Sequence, residues 1–310
     1  MKTISIIIPA YNEQDNITRC YEAISDVMNI PDINYEVVFI DDGSKDLTYD
    51  RVVQLSVKYP NVRGISFSRN FGKESAIFAG LGAATGDAAI VMDSDLQHPP
   101  TLIPQMISKW LEGYEVVEAV KASRGREGIF HKISAKLFYS MISKATNIDM
   151  TNASDYKLID RKAIDALLLM PERTPFFRAL SSWVGFNSIT LPFEVQEREV
   201  GKSKWSTWSL TKYAIRNITS FSGSPLQLVT IMGWLLFLFG IGVAIEALYQ
   251  YFNGTAATGF TTVILLQLIT SGGIMISLGI IGLYISKIYD EIKARPKYII
   301  SKTCSSKEDK

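Results

Sequence analysis

Two long apolar stretches near the carboxyl end of the chain restrict its possible architectures more than any other feature. Residues 226–252 contain the run WLLFLFGIGVAI, and residues 263–285 form a second apolar stretch. Each is about as long as the ~20 residues that an α-helix needs to cross a bilayer. The unbroken run leaves no polar face, which disfavours a helical hairpin buried in a soluble core. We therefore predict two transmembrane helices.

The charges that flank these stretches predict their orientation. The connecting loop, residues 253–259, contains no Lys or Arg, whereas basic residues precede the first stretch and follow the second: Lys202, Lys204, Lys212, Arg216, Lys287, Lys293, Arg295 and Lys297. By the positive-inside bias, both flanks face the cytoplasm. Small residues four positions apart, Gly240 with Ala244 and Gly273 with Ser277, allow close helix approach and favour a homo-oligomer.

The composition changes along the chain predict four segments. Residues 1–203 form a cytoplasmic globular domain, residues 226–287 the transmembrane region, and residues 288–310 a cytoplasmic tail that we expect to be disordered from Ser301 onward. Residues 204–225 mix aromatic and basic side chains and predict an interfacial amphipathic helix. The alternative for that segment is a domain helix with a Trp core.

Short apolar runs alternate with segments of helical period through residues 1–200. The runs at 4–8, 35–40, 62–67 and 88–92 predict buried strands, and the segments at 13–28, 46–58, 73–84 and 101–111 predict helices. This alternation is typical of an α/β fold with a mostly parallel sheet and helices on both faces. Each strand ends in polar residues or turn formers, and open α/β sheets bind ligands outside those carboxyl ends.

Several function classes are disfavoured. Lys and Arg number 32 against 31 Asp and Glu, so no overall field attracts nucleic acid. Cys20 and Cys304 lack the spacing of a zinc site or a disulfide framework. The glycines of GLGAATG approach a dinucleotide fingerprint, but the third is one place late and the segment ends a helix. A nicotinamide enzyme is therefore not indicated.

The most informative segment is VMDSDLQHPP, at residues 91–100. A buried strand delivers Asp93 and Asp95 two positions apart, with Gln97 two further on. Hard oxygen donors of this kind suit Mg²⁺ or Mn²⁺ held by one or two carboxylates plus substrate phosphate oxygens. Such a cation would neutralise a diphosphate leaving group. The sequence therefore predicts a divalent metal site at the end of the fourth strand.

A second constellation follows the first two predicted strands. Tyr11 offers a ring for stacking, and Asp41 and Asp42 can accept hydrogen bonds from a base or a ribose, so we expect the segment from Pro9 to Glu13 and this acidic pair to flank a nucleotide. The alternative is that polar neighbours merely cap the following helices. Those neighbours are Asn12, Ser44 and Asp46.

Basic residues outside this rim predict a phosphate site. They are Arg124, Arg126, Lys132, Arg198, Lys202 and Lys204. Arg and Lys clustered around Gly and Ser can cradle a phosphate, although solvated surface charge is the alternative for each one. Asp155 is the candidate carboxylate near the reacting centre, with helix capping or a structural ion pair as its alternative.

Taken together, these segments resemble the family 2 glycosyltransferases, and within them the polyprenyl-phosphate branch. The matching pieces occur in the family's order and cover nearly the whole chain: IIIPAYNE, VVFIDDGSKD, SRNFGKESAIFAGL, VMDSDLQHPP, SDYKLIDRKA and REVGKSKW, followed by two apolar spans. The resemblance implies a Rossmann-like domain of the GT-A type, a divalent metal, inversion at the anomeric carbon and a polyprenyl phosphate acceptor.

The resemblance also implies roles for single residues. It points to Asp95 and Gln97 as metal ligands with Asp93 on the nucleotide side, and it gives phosphate binding to three arginines, Arg124, Arg126 and Arg198. Pro9, Tyr11, Glu13 and Asp41 or Asp42 match the nucleotide positions, and Asp155 matches the acidic position sometimes named as the base. The chain departs from the family pattern at Tyr156 and Lys157, where Phe and Arg are usual, so we expect a changed acceptor or sugar pocket.

The expected reaction moves one sugar from a UDP-sugar to undecaprenyl phosphate for cell-envelope glycan modification. UDP-glucose is the first choice, with N-acetylglucosamine or mannose as the alternative sugar. A processive polysaccharide synthase is disfavoured for two reasons: the sequence contains no QxxRW-type segment, and we predict only two transmembrane spans. A silent scaffold is the alternative from another class. A flippase and a downstream glycosyltransferase are the further partners that we expect.

Overall fold

The computed structural model describes residues 1–121, 154–172, 175–193, 224–253 and 259–306. The chain divides into two compact units. One contains all of the described strands, and the other contains two long helices. The predicted interfacial helix before residue 224 and the six basic residues of the predicted phosphate site lie outside the described residues.

Four parallel strands form the centre of the sheet, in the order β4-β1-β2-β3. Their bounds are β1 (Lys2–Ala10), β2 (Ile33–Asp41), β3 (Val62–Phe67) and β4 (Ala88–Val91). The helices between and after them are α1 (Ile17–Val27), α2 (Thr48–Lys58), α3 (Lys73–Ala83) and α4 (Ile103–Leu111), the last preceded by a 3-10 turn at Pro100–Leu102. All eight elements were predicted from apolar periodicity, and the parallel α/β core is confirmed.

Four further strands extend this core to an eight-stranded sheet of order β7-β5-β6-β4-β1-β2-β3-β8. They are β5 (Val116–Lys121), β6 (Lys157–Asp160), β7 (Ser188–Phe193) and β8 (Ile300–Ser305), with helices α5 (Arg161–Leu168) and α6 (Phe177–Trp183) between β6 and β7. β6 runs antiparallel to β4 and β5, and β8 runs antiparallel to β3. The sheet is therefore mostly parallel, as expected.

The antiparallel pairing of β6 with β4 determines where the site lies. Val91 pairs with Lys157 in this ladder. Because antiparallel partners move in opposite directions along the chain, continuing the register by two residues places Asp93 opposite Asp155. The start of β6 therefore brings Asp155 to the carboxyl end of β4, across 62 positions of sequence.

Helix α3 packs closely on the sheet because it is rich in small residues. A Cβ atom at Gly80 would collide with the side chain of Ile7 in β1. Ala76, Ile77 and Leu81 are fully buried on the same helix. The glycine that resembles part of a dinucleotide fingerprint thus serves helix–sheet packing.

The end of the chain returns to the globular unit. Lys297 Nζ donates to the carbonyl oxygen of Met170 at 3.1 Å, and the ring of Tyr298 stacks on Phe67 at 5.0 Å between centroids. β8 then pairs with β3 along the sheet edge. Our prediction of disorder from Ser301 is wrong for residues 301–305. The sequence of β8 is polar because the strand is largely exposed, so it lacks the apolar pattern by which strands are predicted. Backbone hydrogen bonds to the edge of the sheet stabilise it instead.

The second unit contains the two apolar helices, α7 (Ser224–Phe252) and α8 (Phe260–Ile292). Within them, Val229–Phe252 and Leu266–Ile292 have mean hydropathies of 2.1 and 2.0 and are long enough to cross a membrane. The two predicted long apolar helices are confirmed. A Cβ atom at Gly273 would collide with Leu236 of α7, and Ser277 Oγ donates to the Gly273 carbonyl oxygen at 2.9 Å. Gly273 is therefore used for packing within this chain.

Candidate active site

The loops that follow β1, β2 and β4 lie at one edge of the sheet because these strands are parallel. Pro9 is buried within β1, and Tyr11, just beyond it, is 36% exposed. Glu13 Oε2 accepts a hydrogen bond from Asn16 Nδ2 at 2.6 Å, ahead of α1. The predicted nucleotide-binding segments thus come together at the expected edge.

Hydrogen bonds tie the first of these loops to the second. Asn12 N donates to Ser44 Oγ and Asn12 Oδ1 accepts from Lys45 N, both at 2.9 Å, while Glu13 N donates to Thr48 Oγ1 at 2.8 Å. Asn12 adopts a φ of 53°, a left-handed conformation that Asn tolerates better than most residues. The polar residues here therefore do more than cap helices, since they join two loops into one rigid rim.

The acidic pair after β2 is buried and held by neutral donors. Asp41 accepts from Ser66 Oγ at 2.6 Å and from Ser44 N at 3.0 Å. Asp42 accepts from the backbone N–H groups of Phe71 and Gly72 at 2.7 and 2.9 Å. Each residue is 3% exposed, and burial raises the pKa of Asp42 despite those two N–H donors. Asp42 therefore fixes the turn from which α3 begins.

The loop after β4 presents the predicted metal ligands at its surface. Asp93, Asp95 and Gln97 are partly exposed, and Asp95 Oδ1 accepts from Gln97 N at 3.2 Å. His98 is buried beneath them, where its Nδ1 accepts from Asp93 N at 3.1 Å. Burial lowers the pKa of His98, which favours the neutral imidazole that this hydrogen bond needs. The histidine therefore closes the loop from below.

Tyr156 supports the same loop. Its ring stacks on His98 with 4.9 Å between centroids, and its hydroxyl donates to the Pro99 carbonyl oxygen at 2.9 Å. Lys157 is also fully buried, where its Nζ donates to Ser181 Oγ at 2.8 Å and lies 3.3 Å from Glu118 Oε1. At both departures from the family pattern the side chain lies in the protein interior, and the expected change of the acceptor or sugar pocket stays a prediction.

Asp155 is the most strongly constrained carboxylate of the site. Its side chain is 4% exposed and contacts two cations. Arg178 donates through Nε to Oδ1 at 2.7 Å and through a terminal nitrogen to Oδ2 at 2.9 Å, and Lys73 Nζ donates to Oδ2 at 2.8 Å. Burial alone would raise the pKa of Asp155, but these cations hold it well below its usual range. This carboxylate is therefore a permanent anion and a weak base.

Lys73 joins Asp155 to the loop after β4. Its Nζ also lies 2.5 Å from Asp93 Oδ1. Burial opposes the charge of Lys73, but Asp155 and Asp93 outweigh it and raise the lysine pKa. The same ammonium holds the pKa of Asp93 below its usual range although burial would raise it. One cation is thus shared by two carboxylates from opposite strands.

Glu74, the next residue of α3, adjoins this network. Its Oε2 accepts from the backbone N–H of Phe177 at 2.8 Å, at the start of α6. Burial and the nearby charge of Asp155 raise the pKa of Glu74 to about 7. The carboxyl group therefore exchanges its proton close to neutral pH.

A divalent cation fits the donors of the loop after β4. The described residues hold no cluster of three His, Cys, Asp or Glu side chains suited to a metal. The loop itself offers two carboxylates, Asp93 and Asp95, and the amide of Gln97. This set matches the preference of Mg²⁺ for one or two protein carboxylates, with substrate phosphates as the other ligands. Asp95 and Gln97 stay the predicted protein ligands, and Lys73 lies against Asp93.

Three further residues of this site, Lys73, Glu74 and Arg178, were not predicted from the sequence. Lys73 and Glu74 lie in the quoted segment SRNFGKE, but neither has a spacing that indicates a site. Arg178 lies in no recognised motif, and its contact with Asp155 depends on the folding of α6 against β6. A local pattern could not have revealed these pairs because each joins residues far apart in sequence.

Comparison with known proteins identifies several relatives. Residues 5–168 match the Glycosyl transferase family 2 domain. The chain is 42% identical over 301 residues to the uncharacterized glycosyltransferase YkcC of Bacillus subtilis (strain 168), covering 96% of this chain and 93% of that protein. It is 37% identical over 305 residues to the bactoprenol glucosyl transferase of Shigella phage SfII, covering 97% and 98% respectively.

A solved structure has a similar fold. It is glucosyl-3-phosphoglycerate synthase from Mycobacterium tuberculosis, in complex with Mn²⁺, UDP and phosphoglyceric acid. The similarity has a TM-score of 0.54 at 19% sequence identity and covers 72% of this chain and 79% of that one. At this identity the match establishes a common fold, and the expected GT-A architecture is confirmed.

Proposed function

The chain belongs to glycosyl transferase family 2, and from that membership we propose that it transfers one glucose from UDP-glucose to undecaprenyl phosphate, a polyprenyl phosphate. One observation carries the proposal. The acidic loop after β4 and the buried Asp155 share the ammonium of Lys73, so the oxygen donors expected for a metal lie beside a fixed anion. The phage relative is a bactoprenol glucosyl transferase, which supports the choice of sugar and lipid.

In this proposal the rim formed by the loops after β1 and β2 binds the nucleotide. Tyr11 stacks on the base, and Glu13 with Asp41 or Asp42 accepts hydrogen bonds from it or from the ribose. Asp95 and Gln97 hold Mg²⁺ or Mn²⁺, with Asp93 on the nucleotide side. The cation would neutralise charge on the diphosphate leaving group. The rigid hydrogen bonding of the rim supports this role, because preorganised groups lose little freedom on binding.

The acceptor needs no strong general base. A phosphate monoester has a second pKa of about 6, so a lipid phosphate is largely dianionic at neutral pH. Its oxygen attacks the anomeric carbon with inversion, and the bond from that carbon to UDP breaks with the electron pair leaving on UDP. The depressed pKa of Asp155 supports a role as a fixed charge that orients the sugar or stabilises positive charge on it. Arg124, Arg126, Lys132, Arg198, Lys202 and Lys204 are proposed to hold the acceptor phosphate.

We place the reaction at the cytoplasmic face of the plasma membrane, with α7 and α8 crossing the bilayer. Their length and hydropathy support the spans, and the distribution of Lys and Arg supports the orientation. Residues 1–203 and the carboxyl-terminal segment 288–310 are then cytoplasmic, and residues 204–225 lie at the interface. A homo-oligomer, a flippase and a downstream glycosyltransferase remain the expected partners.

Purified full-length protein, undecaprenyl phosphate, Mg²⁺ or Mn²⁺ and a panel of nucleotide sugars provide the test. We expect a lipid product one hexose heavier than the acceptor by mass spectrometry, formed fastest from UDP-glucose and lost on adding a chelator. A product carrying N-acetylhexosamine, or a mannose product from another donor, would correct the sugar. A long polymer would refute the transfer of a single sugar. If no donor gives a product, the proposal that the chain is a glycosyltransferase enzyme is refuted.

A further inference from the structure

Helix α6 contacts the groups on both sides of Asp155. Its first residue, Phe177, donates its N–H to Glu74 of α3, and Ser181 accepts from the buried Lys157 of β6. Between these two contacts, Arg178 binds Asp155 itself. This short helix therefore contacts Asp155, the nearby residue Lys157 of the same segment, and Glu74 of the adjacent helix α3.

The geometry of the Arg178 contact restricts the orientation of the carboxylate. Two guanidinium nitrogens reach the two oxygens of Asp155, at 2.7 and 2.9 Å. A planar, two-point pair of this kind fixes the plane of the carboxylate as well as its position, which a lysine cannot do. Rotation of the Asp155 side chain would break at least one of these bonds.

Asp155 passes this constraint on to the loop after β4. Lys73 Nζ lies 2.8 Å from Asp155 Oδ2 and 2.5 Å from Asp93 Oδ1. The position of the ammonium thus depends on where Asp155 is held. The chain Arg178–Asp155–Lys73–Asp93 connects α6 to the loop that carries Asp95 and Gln97.

We propose that Arg178 is a positioning residue of the transfer reaction, which holds the Asp155 carboxylate in one orientation and, through Lys73, holds Asp93. This inference rests on the proposed function. It assigns to α6 a part in catalysis although none of the predicted site residues lies on that helix. Arg178 acts through Asp155, and its loss should impair the transfer step more than donor binding.

The charged groups around Asp155 predict how the site responds to loss of Arg178. Among the described residues they come from four strands and helices and one loop: Lys73 and Glu74 of α3, Asp93 and His98 after β4, Glu118 of β5, Lys157 of β6 and Arg178 of α6. Without Arg178, Asp155 keeps one cation in direct contact and remains buried. Its pKa then rises, so the active carboxylate form becomes sensitive to acid.

The test compares Arg178→Gln and Arg178→Lys with wild type in the transfer assay. For Arg178→Gln we expect kcat to fall about 100-fold at pH 7, the scale of one lost preorganised electrostatic group. The KM for UDP-glucose and the Kd for UDP with Mn²⁺ should change less than about threefold, since no donor contact is lost. Arg178→Lys keeps the positive charge, so its kcat should be about tenfold higher than that of Arg178→Gln.

The pH profile provides a readout that general destabilisation would not change. In wild type, Asp155 is ionised throughout the range from about pH 6 to 8, so this carboxylate should cause no change of kcat with pH there. The kcat of Arg178→Gln should rise with pH as the carboxylate ionises. Arg161→Lys is the matched control, because Arg161 donates to the carbonyl oxygens of Ala84 and Gly86 away from Asp155. It should lower the melting temperature and leave kcat per folded protein and its pH profile unchanged.

Three results would overturn the inference. They are a pH profile of Arg178→Gln parallel to that of wild type, a fall in UDP affinity that matches the fall in kcat, or an equal loss of kcat in Arg161→Lys. Failure of the wild-type protein to transfer any sugar is a different result. It would refute the proposed function, and the inference would fall with it.

Discussion

Two carboxylates of this site, Asp42 and Asp155, are about equally buried but are held by opposite means. Asp42 accepts from two backbone N–H groups, and burial leaves its pKa raised. Asp155 contacts an arginine and a lysine, and its pKa is far lower than usual. Neutral donors shape a loop, whereas paired cations keep a buried charge ionised.

This difference separates two parts of the site. The rim formed by the loops after β1 and β2 is a framework of neutral hydrogen bonds, suited to binding a nucleotide in a fixed shape. The network around Asp155 is a set of compensated charges, suited to responding to charge that develops during transfer. Lys73 connects them, because Asp42 fixes the turn immediately before it.

The largest effect is expected from Asp95→Asn, which removes a proposed metal ligand. Transfer should fall about 1000-fold or more, since a metal supplies several kcal/mol of charge stabilisation. The protein should still fold and enter membranes, because Asp95 is partly exposed. Asp165→Asn, at a side chain that is 61% exposed, is the matched control and should retain activity. Near-normal turnover of Asp95→Asn at high metal concentration would contradict the metal assignment.

Asp155→Asn sharpens the comparison from the other side. The amide keeps the shape and one acceptor oxygen but loses the charge, so we expect kcat to fall about 100-fold. Asp42→Asn, measured in parallel, should weaken donor binding and stability more than kcat, because its neighbours are neutral N–H groups. Equal losses of kcat in both variants would contradict the claim that the rim serves donor binding and the network around Asp155 serves transfer.

Glu74→Gln tests the network through stability. The unfolded carboxyl group loses its proton near pH 4.5, whereas the folded one keeps it until about pH 7. Because the folded pKa is the raised one, stability from this group is full below about pH 4.5 and is lost as pH rises towards 7. Relative to Glu74→Gln, wild type should lose about 3 kcal/mol across that window. Melting temperatures in detergent at pH 5 and 7.5 measure it, and identical pH dependence would refute the assignment.

The smallest effect is expected from Tyr156→Phe. The variant loses one buried hydrogen bond to Pro99 and keeps the ring on His98, so stability should fall by about 1 kcal/mol. Transfer should change less than about threefold because the loop after β4 keeps its other contacts. A large loss of transfer at unchanged melting temperature would instead give the hydroxyl a direct role.

The predictable part of the molecule follows from local patterns. Strands β1 to β4 are short segments rich in apolar residues, and the loop with Asp93 and Asp95 directly follows β4. Three features had no local signal. β8 is a polar edge strand, and the contacts of Asp155 with Lys73 and Arg178 span 82 and 23 positions. Long-range charge pairing depends on the sheet order, above all on β6 running antiparallel between β4 and β5.

The most direct test of the central claim is calorimetric titration of UDP, in Mn²⁺, into wild type, Asp95→Asn and Asp155→Asn under identical conditions. If the loop after β4 holds the metal and diphosphate while the Asp155 network serves transfer, Asp95→Asn should bind UDP at least about tenfold more weakly. Asp155→Asn should bind within about threefold of wild type. Full UDP affinity in Asp95→Asn, with affinity lost in Asp155→Asn, would contradict the account.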